Sequence, residues 1–265
     1  MTRRSEVFEL ELQGGAAEHR YRRMRPEIER LDWDALDARA ATKQELDVAR
    51  QQWTAGSLQE YATASAHSAT LHLLLRVRAP LDLTAMAAAF PLDEIAHAEL
   101  CARVANALGG GAAVSYQPEV ALAGASSGEP MAVLADRAVR DFCISETLAH
   151  ALLQAAARAP GPALLKNVHA TIARDEALHG RFGWLFLEWA KPKLSRTMRQ
   201  ALAESAHKTL KAHRDAWSNR CALEDAAWSK WTVCGALGRK RYIEIGERGI
   251  AKRIVPALRR AGIDV

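Results

Sequence analysis

Asp93-Glu94-Ile95-Ala96-His97 and Asp175-Glu176-Ala177-Leu178-His179 are two copies of one pattern, and a lone glutamate stands in an apolar helical stretch upstream of each, Glu60 and then Glu146. On an α-helix, residues three apart share a face, so the glutamate and histidine of each copy can grip one metal ion. Four carboxylates buried together repel one another and lose their hydration. Two divalent cations cancel four negative charges, so the pattern makes physical sense as a two-metal site written as an internal repeat. In this reading Glu60 and Glu146 supply the bridges between the ions.

Helices can be traced outward from the motifs. A helical pattern runs from about Lys43 to about Val77 and is closed by Ala79-Pro80. On it Glu60 shares a face with Trp53, Gly56, Ala64, His67 and Leu71, the company that core residues keep. The second helix, about Asp82 to Leu108, aligns Glu94 with Ala87, Phe90, His97 and Cys101 and ends at Gly109-Gly110-Gly111. A stretch rich in Gly, Ala, Ser and Pro follows, through Gly128-Glu129-Pro130, too long for a tight turn and predicting a long crossover. The third helix, about Met131 to Arg158, carries Glu146 and is broken by Pro160-Gly161-Pro162. The fourth, about Ala163 to Ala190, carries Glu176 and ends in Phe182, Trp184, Phe186 and Trp189, read as packing residues. Helical patterns at about Ser195 to Trp231 and Arg239 to Ala261 extend the chain, and residues 6–12 alternate weakly, as a short strand or extended arm would.

Composition agrees with an all-α chain. Of 265 residues, 49% are hydrophobic, enough for a substantial core, and nothing demands more than one domain, 1–265. The expected parts are an N-terminal arm with short helices (1–42), a metal-binding bundle (43–190) and additional helices (191–265). No long apolar run appears, so the cytoplasm and no membrane partner are expected. Cys101, Cys143, Cys221 and Cys234 form no Cys-x-x-Cys pair, which reads as reduced, mostly buried thiols. Arg20, Arg22, Arg23 and Arg25, and Arg239, Lys240 and Arg241, are basic clusters in a chain of net charge +5. With no aromatic interleaving they read as solvated faces, and a nucleic-acid partner is not expected.

The chain holds a third Glu-x-x-His, Glu204-Ser205-Ala206-His207, beside Gln200, Lys208 and Lys211 and without a preceding Asp or an upstream glutamate partner. It reads as solvated surface. In the two full copies the Asp has a separate role, because a metal-bound imidazole donates its other N–H to a carboxylate, and Asp93 and Asp175 are placed to serve the histidine of the opposite copy. His67, two turns beyond Glu60, and His150, one turn beyond Glu146, are candidate pocket residues, as extra ligands, proton carriers or ordinary core histidines.

From about Trp53 to Trp189 the order Glu, Glu-x-x-His, Glu, Glu-x-x-His resembles the ferritin-like di-iron carboxylate superfamily, which includes rubrerythrins, ribonucleotide reductase small subunits, acyl-carrier-protein desaturases, monooxygenase hydroxylases and N-oxygenases. The resemblance implies a ferritin-like four-helix bundle with its long crossover between helices 2 and 3. It also implies two Fe ions held by Glu60, Glu94, His97, Glu146, Glu176 and His179, with Mn or a mixed Mn/Fe pair compatible with the same donors. The expected activity is that of a non-haem di-iron oxidase or oxygenase, acting with O2 on a small organic substrate beside Phe90, Phe142 and Leu153. An external electron donor is expected, and a homo-oligomer is compatible with the pattern. The alternative is a ferroxidase or peroxide-scavenging iron-handling protein. Departures narrow the choice: Cys101 stands where the reductases place their radical tyrosine, the extensions do not suit a minimal storage ferritin, no rubredoxin module is present, and Ile172 replaces the additional histidine of the N-oxygenases.

Overall fold

A computed structural model describes residues 5–122, 128–219, 235 and 237–265. It is mainly helical. The longest elements are α2 (Lys43–Arg76), following α1 (Gly15–Met24), then α3 (Leu81–Ala107) and, beyond a short α4 (Pro118–Ala121), a run made of α5 (Pro130–Arg137), a π-helical segment (Ala138–Glu146) and α6 (Thr147–Arg158). It is followed by α7 (Ala163–Ala190) and α8 (Arg196–Asn219), and the chain closes with helical pieces at Arg239–Gly249, Ile250–Ile254 and Val255–Arg260. The expected continuation of α8 to Trp231, together with Cys221 and Cys234, lies outside the described residues.

Local chemistry sets the helix ends. Thr42 caps α2 in a reciprocal box: its side chain accepts from the Glu45 N–H while Glu45 Oε2 accepts from the Thr42 N–H at 2.7 Å. The brief connection to α3 makes α2 and α3 a packed hairpin, and the π segment and α6 form a second hairpin with α7; α3 lies against α7, and α2 against α5. Pro91 does not break α3, although proline removes one ladder donor. The weakly alternating arm yields one short strand: Glu6 and Val7 (β1) pair antiparallel with Tyr116 and Ser115 (β2) inside the crossover.

Besides a smaller apolar body around Leu152, Ala156 and Leu237, the core has two large ones. One contains Phe90, Phe142, Phe182, Phe186, Leu134 and Trp217; the other contains Trp53, Leu100, Cys101, Val104, Leu165 and Ile172. Along α3, Glu94 and His97 fall between Phe90 and Leu100. Along α7, Glu176 and His179 fall between Ile172 and Phe182. The aromatic end of the fourth helix is packing, in line with its pattern: Phe182 and Phe186 are fully buried, and Trp184 and Trp189 lie against the same body.

The second hairpin closes tightly at Gly183, where an added Cβ would stand 2.7 Å from Phe142 Cβ and 2.9 Å from Cys143 N. Only a hydrogen fits between α7 and the π segment there. Gly183→Ala is expected to cost about 1–3 kcal/mol, the usual penalty of overpacking, with a lowered Tm in thermal denaturation; an unchanged Tm would mean that the two helices do not approach this closely.

Candidate metal centre

The four helical runs converge on one buried cluster. Glu94, His97, Glu176 and His179 are between 0% and 3% exposed and Glu146 is 7% exposed, whereas the Glu60 side chain keeps 20% exposure and lines a cavity. The core position expected for Glu60 is therefore only partly met, because α2 borders that cavity at this turn. Glu146 is the last residue of the π segment. Its wider turns, with Ser145 Oγ donating to the Arg140 carbonyl at 2.9 Å, set the helical phase at which Glu146 enters the cluster.

Two four-residue groups have potential ligand atoms all within 4.8 Å of one another: Glu60, Glu94, His97 and Glu176, and His67, Glu94, Glu146 and His179. Glu94 belongs to both. Glu60 and Glu146, the residues expected to supply the bridges, each belong to a single group.

The histidines are oriented from outside. His97 Nε2 lies 3.2 Å from Asp175 Oδ2 and His179 Nε2 lies 3.2 Å from Asp93 Oδ2, each aspartate meeting the histidine of the other copy. An aspartate accepting the Nε2 hydrogen leaves Nδ1 as the nitrogen that faces the carboxylates. His179 Nδ1 is 3.1 Å from Glu94 Oε1, and His97 Nδ1 is 3.5 Å from Glu176 Oε1.

Both aspartates are tied to an arginine that the charge pattern of the sequence assigns to a solvated face. Arg25, 4% exposed, sends Nη1 to Asp93 Oδ1 at 2.5 Å, Nη2 to Asp175 Oδ2 at 2.7 Å and Nε to Glu27 Oε1 at 2.7 Å. Arg174 Nε adds a contact to Asp175 Oδ1 at 2.8 Å. Burial alone would raise the Asp175 carboxyl, but its bonds to His97 and Arg174 and the charge of Arg25 hold it well below the usual carboxylate range. Arg22 is also engaged, with Glu99, Glu29 and Glu18. A run of arginines gives no hint that one of them turns inward.

His67 lies in the cluster and His150 does not. His150 is four residues past Glu146, about 40° further round the helix, and the cavity-facing positions of α6 are Leu148, Ala149, Leu152 and Leu153. Burial and the charge of Arg253 hold the His150 imidazole below its ordinary value. Glu204 and His207 are exposed on α8, and His207 Nδ1 is engaged with its own helix at Ala203 O, 2.9 Å. Cys101 and Cys143 are buried free thiols. No family model, no curated protein and no solved structure matches this chain.

The donor chemistry fits divalent metal. Glu94 Oε1 and Oε2, Glu176 Oε2, His97 Nδ1, His179 Nδ1 and both nitrogens of His67 are buried without a hydrogen-bond partner, a density of orphaned groups that a protein interior does not ordinarily carry. Oxygen and imidazole donors together suit iron and manganese. Without metal, protons must do the neutralising. Burial and the charge of Glu94 raise the Glu60 carboxyl, and burial and the charge of Glu146 raise that of Glu176. Burial opposes the charged imidazole of His97, but its hydrogen bond to Asp175 and the charges of Glu94 and Glu60 outweigh this and raise it to about 9; His179 is raised too, by Asp93, Glu176 and Glu94 against its burial.

Metal must displace these protons. Because the His97 value is raised, its proton is held throughout the range below about pH 9 and competes with a cation there. Mn(II) affinity is therefore expected to rise with pH towards 9, and Mn(II) added at pH 7 in weak buffer to release protons; a pH-independent affinity with no release would contradict the assignment. Arg25→Met, which frees both aspartates to turn from their histidines, is expected to weaken Mn(II) binding by about 10–100-fold, the usual effect of losing an outer partner, as read by calorimetric titration.

Proposed function

We propose that this protein is a ferritin-like di-metal oxidase or oxygenase, with two Fe ions, or Mn in one or both places, that uses O2 to oxidise a small organic substrate. The observation that carries this reading is a cavity of about 850 Å3 among the described residues, whose wall includes Glu60, His67, Glu146 and Glu176. That volume lies within the range of small-molecule sites. A site serving metal ions alone needs only a narrow polar route.

The cavity is amphipathic. Leu148, Ala149, Leu152, Leu153 and Trp217 give it apolar surface, and Gln59, Thr63, Arg140, Asp141 and Ser145 give it polar anchors. Of the expected substrate-contacting residues, Leu153 lines the cavity, whereas Phe90 and Phe142 are 2% and 0% exposed and pack behind the cluster. Phe90 lies 4.3 Å from His179, ring centre to ring centre, so the aromatic residues wall that imidazole off from water.

When bound, a di-metal pair supplies the electrons and the Lewis acidity for O2 reduction. The chain's own residues hold and orient. Glu94 lies in both four-residue groups and is suited to bridge, Glu60 at the cavity wall is suited to yield a position, and the Nδ1 atoms of His97 and His179 are aimed by Asp175 and Asp93. Protons released by Glu60 on loading have a path outward, since this side chain reaches the cavity. No helix among the described residues is long and apolar enough to span a bilayer.

The competing iron-handling reading differs in its stoichiometry. An organic-substrate oxidase mixed with a large excess of Fe(II) and air should oxidise about two irons per chain rapidly and then stall for want of substrate and donor. A ferroxidase would turn over the whole excess. Continued turnover with release of Fe(III) would overturn the proposal.

A further inference from the structure

His67 stands outside the repeated motif and is 1% exposed. Its Nδ1 lies 3.4 Å from Glu94 Oε1 and its Nε2 lies 3.3 Å from Glu146 Oε1, yet neither nitrogen completes a hydrogen bond. A buried imidazole is ordinarily satisfied, as His97 and His179 are at Nε2 by their aspartates. The ring is held by Phe142, stacked at 4.7 Å and 20° between planes, and by Phe90, edge-on at 5.8 Å. Aromatic packing thus fixes an imidazole among carboxylates that it does not properly bond.

We propose that His67 is a seventh metal ligand, completing one ion's donor set together with Glu94, Glu146 and His179. The proposal rests on the di-metal reading above. All four residues offer an atom within 4.8 Å of the others, and without His67 that set falls to one imidazole and two carboxylates. Whichever ring nitrogen binds, the other keeps its hydrogen and faces a glutamate oxygen, which accounts for both contacts at once.

The two ions are then unlike. One has Glu60, Glu94, Glu176 and His97, three carboxylates and one imidazole; the other has two carboxylates and two imidazoles. More anionic oxygen favours the more highly charged or harder ion, and the neutral imidazoles of the His67 side favour the less charged one. The sequence repeat is nearly symmetric, and His67 is the residue that breaks it.

The test is spectroscopic. Protein loaded anaerobically with 57Fe(II) should give two Mössbauer doublets of equal area, and X-ray absorption should count three imidazoles for every two irons. In His67→Gln one doublet should move and the other stay, with affinity for one iron reduced by at least roughly the 10–100-fold known for lost outer partners. Two imidazoles per two irons in the unaltered protein, a measurement that needs no variant, would overturn the proposal while leaving the di-metal reading intact, as would a variant with both doublets unmoved. Absence of iron from the unaltered protein would overturn both.

Discussion

Four carboxylates packed between two apolar bodies cannot all remain charged unless positive charge is brought to them, and the surrounding structure is arranged around that constraint. Glu60, Glu94, Glu146 and Glu176 come from four different helical runs, so their mutual repulsion is a force that would separate those helices. Apolar burial on either side opposes it, with Phe90, Phe142 and Phe182 on one flank and Leu100, Cys101 and Ile172 on the other. Divalent metal, or in its absence protons on Glu60, Glu176, His97 and His179, completes the balance.

Charge alternates outward from this centre. The carboxylates face the imidazoles, the imidazoles face Asp93 and Asp175, and the aspartates face Arg25 and Arg174, which meet Glu27. Each layer neutralises the one inside it. The outermost cation comes from the segment after α1, which makes the N-terminal region part of the centre although it carries no ligand. Arg25 spans both aspartates at once, so one guanidinium orients both histidines of the repeat.

Helix periodicity made much of this legible in the sequence. The ends of α2, α3 and α6 fall within a residue or two of the readings from Ala79-Pro80, Gly109-Gly110-Gly111 and Pro160-Gly161-Pro162, because glycine and proline end helices by local sterics alone. Glu94 with His97 and Glu176 with His179 could be grouped because residues three apart share a face, and Glu204 with His207 could be set aside on the charge of its neighbours. What local pattern could not carry was long-range. The π segment before Glu146 has no composition of its own, Arg25 enters from a loop whose path depends on tertiary packing, and the choice of His67 over His150 turns on about 40° of helical phase. The membership of Glu94 in both four-residue groups likewise follows from where α3 passes in space.

The central claim is that the buried cluster exists to hold two metal ions. Its most direct test is the metal content of the purified chain after anaerobic incubation with Fe(II), or separately Mn(II), and removal of loosely bound ion by gel filtration. About two ions per chain are expected. A content near zero for both metals would contradict the account.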